Sequence, residues 1–272
     1  MIRTFEPDNV LHKLVDYIWI VDFNFLADGN RGDIIMPLGH INIIFNYGSA
    51  YRLVGEKEEM VIPDAAVIGQ MKEAKHVQYG QHLYQIGISL TPLGFIKLFH
   101  EPGLELTGRI VQVIDVDPDL DELYLMMMTS KDVEQRMKAI NQFLMHKLAL
   151  NEKDTGRIEE MLTYVEREYE SLNIVSMAKF FGVSVSSLER FFKKYIGLTP
   201  KAYGNIVKFR KHVEDEGLRR DMQYHYYDQS HLIKTSKKFA GKTIKELEEL
   251  PDELTLGYLW HGQQQQPSEH RC

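Results

Sequence analysis

The chain has 272 residues, of which 44% are hydrophobic and 26% charged, a balance that excludes a low-hydrophobicity disordered chain and fits a globular protein of more than one domain. No apolar run approaches the length of a membrane-spanning helix, and the opening MIRTFEPDNV lacks the basic and apolar regions of a signal peptide, so a cytoplasmic protein with no membrane partner is expected. The formal net charge of −7 hides an asymmetry: residues 171–250 hold 15 Lys plus Arg against 9 Asp plus Glu, and the rest holds 17 against 30.

Residues 1–115 are rich in strand signals. The run INIIFNYG, residues 41–48, is β-branched and aromatic, and the following YRLVGEKEEMVI reads as a hairpin about Gly55. AAVIGQ, HVQYGQHLYQIGISL and RIVQVI add short strands at close spacing, a rhythm that predicts a barrel or sandwich. VLHKLVDYIWIVDF reads as a short helix turning into a strand, and LTPLGFIKLF, residues 90–99, as a turn leading into a short helix. Tyr17, Trp19, Phe45, Tyr47 and Tyr84 are candidates for a ligand pocket, or plain core.

From Leu120 the period changes to that of helices. Val133, Met137, Ile140 and Leu144 fall in step, and the methionines 126–128 suit either a dimer contact or packing on the barrel. LNEKDTG, residues 150–156, is polar and breaks the pattern, which makes it the best domain boundary. RIEEMLTYVEREYE then forms an amphipathic helix with Ile158, Met161, Leu162 and Val165 inward.

The stretch 173–200 reads as a helix-turn-helix. Asn173 caps a first helix whose buried side is Ile174, Met177, Ala178 and Phe181, Gly182 makes the turn, and Ser184 caps the second helix. That helix buries Leu188, Phe192 and Tyr195 or Ile196, and Gly197 and Pro200 stop it. Its other side carries Ser186, Ser187, Glu189, Arg190, Lys193 and Lys194, a polar and mostly cationic face of the kind that enters a major groove. Arg190 is the best candidate for a base or phosphate contact, the alternative being a surface arginine paired with a carboxylate; Lys193, Lys194, Lys201 and Lys208 suit phosphates. AYGNIVKFRKHVEDEG follows as a linking helix with Tyr203, Ile206 and Val207 buried.

In the order of an alanine, a glycine turn, a serine cap, Leu188, Arg190, Phe192, Lys193, Gly197, Thr199, Pro200 and Tyr203, this stretch resembles the first of the two helix-turn-helix units of AraC/XylS transcription regulators. A version of the second unit follows as YYDQSHLIKTSKKFAGKT, residues 226–243, from which Gln229, His231, Lys234, Lys237 and Lys238 are the residues able to reach DNA. That unit is degenerate. The link before it is short, Met222 to His225 replace the usual small residue and turn glycine, Leu232 replaces an aromatic, Ile244 a proline, and Ser236 a buried phenylalanine, a loss of roughly 3 kcal/mol of packing.

Phe5, Pro7, Tyr17, Trp19, the MPLGHINIIFNYG run, Gly69 and GISLTPLGFIKLF also resemble the jelly-roll-like sensor domain of some of these regulators. The resemblance implies an α+β architecture: a jelly-roll or cupin-like β-barrel over 1–115, a helical segment over 116–150 suited to dimer contact, an all-α DNA-binding domain with two helix-turn-helix units over 151–250, and a partly disordered tail over 251–272. It implies a bacterial transcription regulator whose partners are double-stranded DNA, a small-molecule effector and a second copy of the chain. The alternative is a ligand-binding or protein-interaction module whose degenerate second unit no longer supports DNA binding.

No enzyme is expected. GKT at residues 241–243 ends like a phosphate-binding loop, but Ser236 stands where the earlier glycine is needed. His40, His76, His82 and His100 show no His-x-His pair with a following glutamate, and no nucleophilic triad is evident, so no catalytic residue, metal ligand or cofactor is assigned. The one cysteine, Cys272, is the last residue and forms no internal disulfide.

Overall fold

The computed structural model describes residues 2–25, 32–55, 59–151, 153–214, 237–239 and 241. Its strands are β1 (Ile2–Phe5), β2 (Val15–Asn24), β3 (Gly32–Ile35), β4 (Ile41–Asn46), β5 (Arg52–Val54), β6 (Glu59–Val61), β7 (Ala65–Ile68), β8 (Lys75–Gln78), β9 (His82–Leu90) and β10 (Ile110–Gln112). They form two antiparallel sheets, a six-stranded one in the order β1-β2-β9-β4-β7-β10 and a four-stranded one in the order β3-β8-β5-β6. The expected hairpin after residue 50 is present as the β5–β6 pair.

Alternation along the central strands decides what each face of the large sheet meets. Ile18 and Ile20 of β2, Ile41, Ile43 and Phe45 of β4, and Ile86, Ile88 and Leu90 of β9 point to one side, where the helices cover them. Trp19, Val21, Ile44 and Leu83 point to the other, towards the small sheet that supplies Val77. Both faces are covered, so β4 and β9 are buried along nearly their whole length.

The helices are α1 (Pro92–Phe99), α2 (Pro118–Thr129), α3 (Val133–Ala149), α4 (Gly156–Glu168), α5 (Ile174–Phe180), α6 (Val185–Ile196) and α7 (Pro200–Glu214). Thr91 starts α1 by accepting a hydrogen bond from Gly94 N, and α1 lies in the middle of the helical side, against β9, α3, α4 and α6. The helical stretch expected from Leu120 onward is two helices, α2 and α3. Asp132 explains the break, since its carboxylate accepts from Gln135 N at 2.8 Å and opens α3. Successive residues turn by about 100° around a helix, so Met127 is buried while Met126 and Met128 stay exposed.

α4 buries Ile158, Met161, Leu162 and Val165 as expected. Pro200, expected to stop α6, opens α7 instead, because Gly197 already ends α6 and proline suits a first helical turn. One apolar core runs from Leu11 through the helix-facing side of the sheet to Val207 and Phe209 of α7. Among the described residues no helix is long and apolar enough to cross a membrane.

Packing between the sheets is tight at Gly87, which the register places beside Trp19 and Ile44. A Cβ there would stand 2.0 Å from Trp19 Cε2. Gly87→Ala is expected to cost about 1–3 kcal/mol through overpacking, read as a lower urea midpoint without a large change in slope.

Candidate functional site

The stretch expected to meet DNA is built by capping and by one apolar stripe. Asn173 Oδ1 accepts from Ser176 N at 2.9 Å to open α5, and Ser184 Oγ accepts from Ser187 N at 3.1 Å to open α6. Between them Gly182 sits at φ 64°, a left-handed conformation that a residue with a Cβ adopts at a cost. Leu188, Phe192 and Ile196 fix the inner side of α6; Tyr195 is only half-buried, which settles the choice left open in the sequence in favour of Ile196.

The outer side of α6 is a compact cationic surface. Ser186, Arg190, Lys193 and Lys194 are exposed, while Ser187 and Glu189 are partly covered. Arg190 forms no ion pair among the described residues; its Nη2 lies 3.5 Å from Ser187 Oγ, at the long limit for a hydrogen bond. Lys194 lies over the Tyr195 ring at 5.0 Å. The far end of α6 is pinned instead, with Thr107 Oγ1 donating to Gly197 O at 3.1 Å from the strand-rich half of the chain.

Of the second unit, Gln229, His231 and Lys234 lie outside the described residues. Lys237 and Lys238 are exposed on a helical turn at 237–239. Phe239, in the same turn, is buried with its ring 5.4 Å from that of Phe209 on α7.

Behind α6, a buried polar node joins the sheets to the helices. Arg210 of α7 is 8% exposed and donates from Nη1 to Leu38 O at 3.3 Å and to His40 Nε2 at 2.9 Å, and from Nη2 to Glu166 Oε1 of α4 at 2.6 Å. A guanidinium has no acceptor, so His40 Nε2 must accept and the ring is neutral with its proton on Nδ1. Asp16 Oδ2 lies 3.5 Å from the same nitrogen, but an ion pair there would need the charged ring that Arg210 excludes. Burial is the main reason that the His40 pKa is lowered from 6.5 to about 4; Arg210 lowers it further, and Asp16 and Glu166 oppose.

Gly39, between these two contacts, sits at φ 86°, and a Cβ there would lie 3.3 Å from Ile206 Cγ2 and 3.4 Å from Tyr203 Cε2. Burial also raises the Tyr203 hydroxyl above the ordinary tyrosine range. The sequence reading missed Arg210 because its linking helix was read only for an apolar side and a cationic surface.

A pocket of about 70 Å³ opens between the two sheets. Tyr17 and Trp19 line it, as do Leu38 and His40, the two residues that also hold Arg210. Phe45, Tyr47 and Tyr84, the other aromatic candidates, lie on the opposite face: Phe45 is in the helix-side core, Tyr47 stacks on Tyr124 of α2 at 5.0 Å, and Tyr84 accepts from Arg136 of α3. Strand alternation sends them there. His82 pairs with Asp22 at 3.2 Å, and among the described residues no cluster of three or more His, Cys, Asp or Glu has the arrangement of a metal site.

A family described as a domain of unknown function, DUF6597, matches residues 3–112, the part that ends with β10. No curated protein matches the chain. Among solved structures, apo ToxT from Vibrio cholerae, as a point variant, is similar in fold with a TM-score of 0.50 at 9% identity, covering 86% of this chain and 98% of that one. ToxT from the same organism with an unsaturated fatty acid bound has a TM-score of 0.48 at 8% identity, covering 89% and 95%. The AraC-like transcriptional activator CuxR has a TM-score of 0.25 at 11% identity, covering 90% of each chain, too low to carry an argument.

The His40 shift fixes a pH dependence. The unfolded ring takes up a proton near 6.5 and the folded ring only near 4, so between these values the unfolded chain binds more protons and stability falls as pH falls. Urea unfolding is expected to show a loss of up to about 3 kcal/mol from this residue over that window. In His40→Gln, whose amide oxygen can still accept from Arg210, that component of the pH profile is expected to vanish.

Proposed function

We propose that the chain is a sequence-reading DNA-binding regulator of AraC type, in which residues 173–196 form the first helix-turn-helix unit and α6 enters the major groove. The observation that carries this reading is the exposed set Ser186, Arg190, Lys193 and Lys194 on the free side of a helix whose other side is buried and whose caps are satisfied. The motif resemblance of that stretch, the excess of positive charge over 171–250 and the shared fold with ToxT support it. Arg190 reads a base or a phosphate, and Lys193 and Lys194 neutralise phosphates. Lys237 and Lys238 extend the contact if the second unit engages.

In this reading the strand-rich half is the jelly-roll-like sensor, and the protein acts in the cytoplasm by binding and not by catalysis. Its signal enters the pocket between the sheets. Leu38 and His40 line that pocket and hold Arg210 of the helix that follows α6, so occupancy there bears on how α6 is presented. Effector and DNA must then change each other's affinity by the same factor.

Selection of binding sites from a random DNA pool with the full chain, repeated at two salt concentrations, tests the reading. A defined site should emerge, with affinity falling steeply as salt rises. Arg190→Ala should weaken that site by roughly 1–3 kcal/mol and relax one position in it, and Lys193→Ala should lower the salt slope by about 0.9 without changing the preferred sequence. Binding by Arg190→Ala equal to wild type at both salt concentrations would remove α6 as the reader and favour an interaction module.

A further inference from the structure

The inner face of the large sheet is less apolar than packing requires. Register sets Gln85 of β9 opposite Val21 and Asn46, and Ser89 opposite Tyr17 and Asn42, with Gly87 and the Trp19 ring between these two polar rows. At its buried positions the helix-facing side of β4 and β9 carries only isoleucines, Phe45 and Leu90. Buried polar groups cost stability unless they are hydrogen-bonded, so polar residues confined to one face need a reason.

Two polar side chains of the pocket, Gln85 from the large sheet and Tyr51 from the residue before β5 of the small one, point to a ligand. Among the described residues, Tyr51 Oη and Gln85 Nε2 have no hydrogen-bond partner, each side chain belongs to a residue only 2% exposed, and both residues line the pocket. Both atoms carry hydrogens to donate. The acidic group of the lining, Asp33, already accepts from Ile34 N at 2.7 Å and from the Tyr79 hydroxyl at 3.3 Å, so it does not call for a cation. No lysine or arginine among the described residues lines the pocket, so an anion would lose its water without gaining a counter-charge.

We propose that the pocket takes a small uncharged molecule with an apolar, planar body and a hydrogen-bond acceptor such as a carbonyl, received by Tyr51 Oη and Gln85 Nε2 with the body against Trp19. This rests on the reading of the pocket as the place where the signal enters, and it names the chemistry of that signal. The two donors select for the acceptor, since a ligand without one leaves them unpaired.

Four probes of similar size separate the classes: acetophenone as the neutral acceptor, ethylbenzene without an acceptor, benzoate as the anion and benzylamine as the cation. Dissociation constants are measured on the full chain at pH 7 by saturation-transfer NMR. Acetophenone should bind about tenfold or more tighter than each of the other three, and Tyr51→Phe and Gln85→Leu should each weaken it about fivefold or more. Each variant without probe should melt at or above the wild-type temperature, because each removes a buried group that has no partner.

Equal binding of ethylbenzene, stronger binding of benzoate or benzylamine, or no binding of any probe would overturn the proposal. So would lower melting temperatures in both variants, which would assign these groups to the sandwich itself. Measuring DNA affinity with and without acetophenone separates the two readings. An unchanged DNA affinity beside selective acetophenone binding removes the pocket from regulation and leaves its ligand class standing.

Discussion

A buried guanidinium must place its donors or lose the water that served them, and Arg210 places its own on two separate pieces of chain. The Leu38 carbonyl and the His40 ring belong to the turn that leads into β4, and Glu166 belongs to α4. The contact joins the sheets to the helical part that carries α6. Each partner adapts to it: His40 is held neutral so that it can accept, and Gly39 gives up its side chain so that Tyr203 and Ile206 can close on the turn.

The large sheet works through the same division. Its helix-facing side is a plain apolar core continuous with α7, while its inner side holds the polar rows and the pocket. The segment from Leu38 to His40 touches both the pocket and Arg210. A change of shape in the pocket therefore has a short physical path to the helix that follows α6, through groups that are packed and hydrogen-bonded and so have few intermediate arrangements.

Much of this was legible in the residues because it depends on local rules. The caps at Asn173 and Ser184, the burial of Leu188 and Phe192, and the strands β4 and β9 follow from side-chain chemistry and periodicity over a few positions. What was not legible depends on partners far away in sequence. Arg210 looked like one more cation on a basic helix, and its role exists only because the chain returns to residues 38–40. Phe45 and Tyr84 were as good pocket candidates as Tyr17 until the sheet order fixed which face met the helices. The break at Asp132 went unread, although an aspartate three residues before Gln135 is itself a capping signal.

Arg210 is the proposed link between the pocket and α6, the helix proposed to read DNA. A double-mutant cycle tests it directly: Val77→Phe fills the pocket from β8, Arg210→Met removes the polar link with little change in volume, and DNA affinity is measured for both single variants and the pair. Val77→Phe is expected to shift DNA affinity by about 1 kcal/mol or more when Arg210 is present and by almost nothing when it is replaced. An equal shift in both backgrounds, or none in either, would contradict that link.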